Sequence, residues 1–315
     1  MELRLLSGSE VQKLLDLNDL LDALAEGFKA LSEGRAVAPN RIEVSVPDAG
    51  FLLAMPAWQP DQNIAVKIVT VFHGNIELGI PGHQALICVF DPRTGTPAAI
   101  MEGTYITAIR TAGGAALSAK LLARSDASVL TIIGAGVQGR SHLRILPLVR
   151  NFEDIRVASL RFKDAQELAA MHARARAVKS YEEAVRGADV VCLCTTSSTP
   201  VIEARWLAAG AHITSVGYFP PGGELPNEVI RLGRLFVETR LAFEPTPINC
   251  DELAGLSPEV GAELGEVLLG RRHGRQSSDE ITVYKSMGHA IEEMVAANLV
   301  YQRATQQGIG QVVEL

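Results

Sequence analysis

The sequence has few cysteines, and they follow no pattern. Cys88, Cys192, Cys194 and Cys250 are the four in 315 residues, with neither a CxxC pair nor a metal-ligand spacing. A disulfide framework and a cysteine-held zinc site are thereby excluded, and no metal is expected. The four read as small buried hydrophobes in a reducing cytoplasm. No apolar run approaches the roughly 18 residues of a membrane span. The start, "MELRLLSGSEVQKLL", lacks the basic region, apolar core and cleavage site of a leader. A cytoplasmic protein whose mature form is the whole chain is expected. Runs of five or six basic residues are also missing and the net charge is -7, so neither nucleic acid nor an anionic membrane is an expected partner. There is no internal repeat and no low-complexity segment.

What is present is an ordinary globular composition, 47% apolar and 21% charged, in a chain long enough for two domains. Ser7 and Glu10 have capping-box spacing ahead of "VQKLLDL". "NDLLDALAEGFKALSEG" puts Leu20, Leu21, Leu24, Phe28 and Leu31 on one helical face. Two N-terminal helices follow. From Arg41 the period changes: "RIEVSV", "FLLAMPAW", "NIAVKIVTVF" and "HQALICVF" are short, branched and separated by turn residues, and "DPRTG" joins the last to "PAAIME" as a hairpin turn would. An antiparallel sheet accounts for them.

After the helix-like "YITAIRTAGGAALSAKLLAR" the chain alternates: strand "SVLTIIG", a helix, strand "IRVASL", helix "DAQELAAMHARA", helix "YEEAVRGA", strand "DVVCLCTT", then strands "HITSVG" and "RLFVET". Such alternation predicts a parallel sheet with helices on both faces. "SDEITVYKSMGHAIEEMVAANLVYQRA" reads as a strand or turn leading into a long helix that returns to the first domain. The fold class is therefore α/β, a Rossmann-type doubly wound parallel sheet plus a discontinuous α+β domain. The expected domains are 1–118 with 284–315, for substrate and dimerisation, and 119–283, for a dinucleotide.

"TIIGAGVQG" places Gly134-x-Gly136-x-x-Gly139, with Val137 and Gln138 between, directly after a strand and before a helix. In that setting the glycines permit a tight turn, close pyrophosphate approach and helix-strand packing. About 20 residues on, where an acid ordinarily binds the ribose 2′-hydroxyl, the chain reads Ala158-Ser159-Leu160-Arg161-Phe162-Lys163. Asp164 is read as a cap of the next helix. Ser159, Arg161 and Lys163 suit a 2′-phosphate instead, so NADP is favoured over NAD; as solvated loop residues they would have no such role.

"TAIRTA", "IIGAGVQG", "SVG" followed by a Gly/Pro loop ending in Glu-Leu, and "DEITVYKSMGHAIEEM" occur in an order that resembles the ornithine cyclodeaminase/mu-crystallin family over nearly the full length. The resemblance implies a homodimer built through the N-terminal sheet and NAD(P) chemistry on amino acids or their imines. It assigns Arg41, Lys67 and Arg110 to the substrate carboxylate, with Arg110 also near the cofactor; forked guanidinium groups and an ammonium suit that task. Lys67, sharing a strand face with Ala65 and Val69, would otherwise be an outward residue. Thr111, Thr195, Thr196, Val216, Gly217 and Ser286 match cofactor-lining positions; the hydroxyl residues among them could equally be caps. His73, His83 and His289 lie near these motifs and could shuttle a proton at neutral pH, or be structural.

The departure is in "VGYFPPGGEL". Cyclodeaminases carry an aspartate after "VG", where this chain has Phe219, and a glutamate ahead of "MP", where it has Leu53. A diamino acid needs such carboxylates for its distal ammonium and for proton removal. A closed cyclic ketimine does not, and Phe219 with Leu53 would form an apolar wall against its ring. The expected activity is NAD(P)H-dependent reduction of a small cyclic imino acid. Ornithine cyclodeaminase, an open-chain amino-acid dehydrogenase and a nucleotide-dependent small-ligand binder are the alternatives.

Overall fold

The computed structural model describes residues 2–217, 222–244 and 250–314, without the side chains of His73 and Ile76. Phe219 lies outside the described residues. The chain forms two compact units, 1–110 with 289–315 and 111–288. No helix among the described residues is long and apolar enough to cross a membrane.

The first unit opens with strand β1 (Glu2–Leu6), helices α1 (Gly8–Leu14) and α2 (Leu17–Ser32), and strands β2 (Ile42–Val46), β3 (Gly50–Ala57), β4 (Ile64–Val71), β5 (His83–Phe90) and β6 (Pro97–Glu102). Ser7 is the N-cap of α1, and its backbone N–H donates to Glu10 at 2.8 Å, as the capping-box spacing predicts. Helix α3 (Thr104–Leu122) contains the division between units, at Arg110 and Thr111.

The second unit continues with β7 (Val129–Ile133), α4 (Val137–Ile145), β8 (Asp154–Ala158), α5 (Phe162–Ala169), β9 (Ala175–Ala177), α6 (Tyr181–Val185) and β10 (Val190–Leu193). Then come β11 (His212–Ser215), α7 (Asn227–Leu232), β12 (Arg234–Val237), β13 (Gly261–Glu263), α8 (Leu264–Leu268) and β14 (Thr282–Lys285). The chain returns to the first unit as α9 (Ala290–Gln307) and β15 (Gln311–Glu314).

The first unit's sheet runs β15-β1-β6-β5-β4-β3-β2. From β2 to β6 each strand is antiparallel to the next, with Gly95 turning the β5–β6 hairpin at φ 71°. These strands form the antiparallel arrangement expected for them, and β1 adds a parallel pairing: it lies parallel to β6 and antiparallel to β15. Alternation gives the sheet two faces. Leu53, Met55, Ala65, Lys67, Val69, Ala85, Ile87 and Val89 are buried on one, against which α9 packs. On the other, the cross-strand row Ile42, Ala54, Ile68 and Leu86 faces outward, with Ile42 63% and Leu86 51% exposed.

The second unit's sheet is parallel throughout, in the order β13-β12-β14-β11-β10-β7-β8-β9. Its first strand, β7, lies between β8 and β10, so the winding direction reverses there. Open α/β sheets bind ligands at such a switch point, beyond the carboxyl ends of the strands. The helix expected over "DAQELAAMHARA" is shorter than its composition suggests. It stops at Ala169, and Ala175–Ala177 pairs with β8, with Arg176 held by Asp154 at 2.9 Å. Asp164 is not the cap of that helix. Arg161 occupies the cap position, and Asp164 in the first turn accepts from its Nε at 2.8 Å.

Candidate active site

The glycine loop follows β7 directly. Gly134 has φ 106°, and a Cβ there would collide with the Cys194 carbonyl; one at Gly139 would collide with the Gly134 carbonyl. These two glycines are therefore required by the protein's own packing. Gly136 is different: a Cβ there meets nothing within 4 Å. Packing does not explain the missing side chain, whereas an incoming pyrophosphate does. Gly136 is also the N-cap of α4, and no side chain caps that helix, which leaves the first-turn N–H groups of Val137, Gln138 and Gly139 for an anion. The loop fits a dinucleotide.

Glu224 gathers the neighbouring strand ends. Buried within the second unit, it accepts from Thr195 N and Oγ1, both at 2.7 Å, from Ser215 Oγ at 3.0 Å and from Gly217 N at 2.7 Å. Gly217 has to be glycine, since a Cβ would lie 2.6 Å from that carboxylate. Behind it, Lys285 donates to Gly217 O at 2.7 Å and Ser215 Oγ at 3.1 Å and pairs with Glu252 at 2.9 Å. Burial opposes its charge, but Glu252 and Glu224 hold its pKa above the usual lysine value. Gly222 donates to Asp251 at 2.9 Å, and a Cβ on Gly223 would strike Glu252. Both described ends of "VGYFPPGGEL" are thus fastened by carboxylates, and its glycines make room for them.

Val216 is half-buried, donating to Leu193 O at 3.2 Å, and Thr196 is exposed. Ser286 is buried at the end of β14 and donates to Glu238 at 2.5 Å. Thr111 is buried in α3. At the end of β8, Ser159 is half-buried, Leu160 is 92% exposed, and Arg161 is exposed and paired with Asp164.

The second cluster lies within the first unit. Lys67 is 3% exposed on the covered sheet face, not outward, and its Nζ is 2.5 Å from Glu293 Oε1 on α9. Arg110 Nε reaches the same oxygen at 2.6 Å, and Arg110 Nη1 reaches Glu292 Oε2 at 2.8 Å. The His289 backbone N–H also donates to Glu292 Oε2, at 2.7 Å. Half-buried Arg41, just before β2, acts electrostatically on Lys67 and on His289. Arg41, Lys67 and Arg110 therefore belong to one electrostatic group.

Burial lowers the Lys67 pKa to about 8; Glu293 opposes the shift, and Arg110 and Arg41 assist it. Burial would raise the Glu293 carboxyl, but the charges and hydrogen bonds of Arg110 and Lys67 prevail and hold it below the usual carboxylate range. His83 and His289 are both lowered to about 4, first by burial and then by the surrounding cations. Each is a neutral imidazole at neutral pH.

Glu292, Glu293, Glu224, Glu252 and Glu238 were not singled out from the sequence. The signal for the first two is faint: adjacent acids in "HAIEEMVAA", a stretch of α9 buried on every side.

A parallel doubly wound sheet with a glycine loop at its switch point, joined to a unit holding a buried cation group, defines a dinucleotide-binding α/β protein with a site suited to a carboxylate. The profile of the ornithine cyclodeaminase/mu-crystallin family matches residues 1–308, and the chain belongs to that family. It is 36% identical to the ketimine reductase mu-crystallin of Mus musculus over 304 residues, 94% of this chain and 96% of that protein. It is 32% identical to the alanine dehydrogenase of Archaeoglobus fulgidus, covering 100% of this chain and 99% of the relative. Among solved structures, the Thermococcus litoralis Δ1-pyrroline-2-carboxylate reductase in complex with NADH and L-proline aligns with a TM-score of 0.91 at 35% identity, covering 98% of this chain and 99% of the other. An archaeal alanine dehydrogenase dimer with bound NAD aligns at 0.89 and 30% identity, over 100% of both chains.

Proposed function

We infer that the protein is an NAD(P)H-dependent oxidoreductase that reduces small cyclic imino acids, of the pyrroline-2-carboxylate or piperideine-2-carboxylate type. The observation that carries this is the incomplete pairing of Lys67. An ammonium has three N–H donors, and among the described residues Lys67 spends one, on Glu293. Around it stand two further cations, Arg41 and Arg110, and two carboxylates, Glu292 and Glu293. Glu102, whose charge reaches His83, is occupied by the Thr104 and Tyr105 N–H groups at the start of α3. One substrate carboxylate would take the remaining Lys67 donors.

Leu53, buried on the same sheet face, brings no acid for a distal ammonium and would offer an apolar side chain to a substrate ring. A bound reduced nicotinamide supplies hydride. Gly134, Gly136, Val137, Gln138 and Gly139 would hold its pyrophosphate, Thr111, Thr195, Thr196, Val216, Gly217 and Ser286 line its site, and Ser159 and Arg161 take the 2′-phosphate of NADP in preference to NAD. The relatives' names and the NADH- and NAD-bound structures support the reading. The first unit serves substrate binding and dimerisation, and the second serves the dinucleotide. The exposed row Ile42, Ile68 and Leu86 supports a homodimer formed through that sheet face.

The test is oxidation of NADPH and NADH with cyclic imines, with 2-oxo acids plus ammonia or amines, and with ornithine assayed in the opposite direction for ammonia release. Oxidation with cyclic imines alone is expected. Turnover confined to 2-oxo acids and ammonia would favour the alanine-dehydrogenase reading that the Archaeoglobus relative supports. Ornithine-dependent ammonia release would overturn the proposal.

A further inference from the structure

Glu293 uses one oxygen for two cations. Lys67 Nζ and Arg110 Nε both donate to Oε1, at 2.5 and 2.6 Å. Oε2 is buried and has no hydrogen-bond partner among the described residues. An ionised oxygen withdrawn from water without a donor is costly. No described residue supplies the donor that would complete it, and the same cluster already offers cations to a carboxylate.

We propose that Glu293 Oε2 receives the ring nitrogen of the substrate, accepting the N–H of the iminium before reduction and that of the secondary ammonium after it. An amino or imino acid carries an anion and a nitrogen cation two bonds apart, so its site needs a cationic and an anionic pole. Lys67, Arg110 and Arg41 form the first, and Glu293 is the second. The assignment rests on the imino-acid reading above. As the imine carbon gains hydride from the reduced nicotinamide, the C=N π pair moves to nitrogen. The original N–H stays on Glu293, and water supplies the second proton of the ammonium. Glu293 acts as an ionised acceptor that favours the protonated, electrophilic imine.

The test compares two ligands of the same shape in the presence of NADH, which reduces neither: L-proline, which has the ammonium, and cyclopentanecarboxylate, which does not. In the wild type proline should bind at least about 10-fold tighter, the worth of one charge-assisted hydrogen bond. In Glu293→Gln the preference should shrink to about threefold or less, with cyclopentanecarboxylate bound no worse than before, since its partners Lys67 and Arg110 lose a competitor. Glu293→Asp, which keeps the charge, should keep part of the preference. An undiminished preference in Glu293→Gln, no preference in the wild type, or equal loss of both ligands would overturn the assignment. If the wild type oxidises no NAD(P)H with cyclic imines yet keeps the proline preference, the reductase reading fails and the role of Glu293 stands.

Discussion

Lys67 and Lys285 are both buried lysines paired with buried glutamates, one in each unit, and they are balanced in opposite ways. Lys285 fills three partners, Ser215 Oγ, Gly217 O and Glu252, and sits among carboxylates that keep it charged. Lys67 has one acceptor among the described residues, shares it with Arg110, and is brought to a pKa of about 8 by burial, assisted by the neighbouring cations. A saturated buried charge fastens structure. An unsaturated one has capacity for a ligand.

The largest effect expected from this contrast is on stability. Lys285→Met leaves Glu252 and Glu224 buried without their cation, and breaking such a pair costs about 3–5 kcal/mol. The denaturation midpoint should fall accordingly, while the folded fraction keeps its affinity for a carboxylate substrate. An unchanged midpoint would remove the distinction between the lysines. Lys67→Met and Arg110→Ala should instead lower kcat/KM for the imino acid by at least about 10-fold, from loss of a charge-assisted contact worth about 1.5–3 kcal/mol. Dinucleotide affinity should suffer less in Lys67→Met than in Arg110→Ala. Small, equal losses in both would dissolve the carboxylate site.

The pH response sharpens the comparison further. Above about pH 8 Lys67 loses its proton, so KM for the carboxylate substrate should rise there, and Lys67→Arg should abolish that rise. Stability should move the other way. With the folded pKa below the unfolded one, about 10.4, the unfolded chain binds more protons between them, and this lysine's share of stability increases with pH. The same sign applies at His83 and His289, whose shares fall as pH drops from about 6.5 towards about 4.

Two smaller effects concern the dinucleotide loop. Gly136→Ala should weaken NAD(P)H binding without moving the unfolding midpoint, because its Cβ enters open space, whereas Gly139→Ala should lower the midpoint through its clash with Gly134. Equal destabilisation by both would refute the cradle. Smallest should be Arg161→Ala, an exposed residue already paired with Asp164: a few-fold shift in kcat/KM from NADPH towards NADH, on the order of 1 kcal/mol or less. A wild type that prefers NADH would contradict the expected direction.

The elements most readable from sequence are those with a local cause. Short branched runs separated by turn residues placed β3, β4 and β5, and the capping box placed α1. The glycine spacing after an apolar strand marked the turn between β7 and α4. β1 and β15 escaped notice because each adjoins a helix in sequence and finds its strand partners far away in the chain. Their pairing joins Glu2 to Glu314 at opposite ends of the chain. Lys67 could not be assigned a face from alternation, since an apolar strand with one lysine is compatible with either side being covered. What covers it is α9, whose acids lie more than 200 positions later. Glu224 escaped for a similar reason: its partners come from the ends of β10 and β11, and nothing adjacent in sequence marks an acid as buried.

Lys67 and Glu293 are 226 positions apart, and Arg110 and Glu293 are 183 apart. This spacing orders events during synthesis. Residues 111–288, a compact unit with its own parallel sheet, are all made before α9 exists, and domains generally fold as units as they emerge. Until α9 follows, the sheet face holding Lys67, Leu53 and Ile87 lacks the helix that buries it. The nascent protein therefore carries an apolar surface with a cation at its centre through more than half of its translation, and that interval is when the chain is most open to a chaperone or to a neighbouring copy.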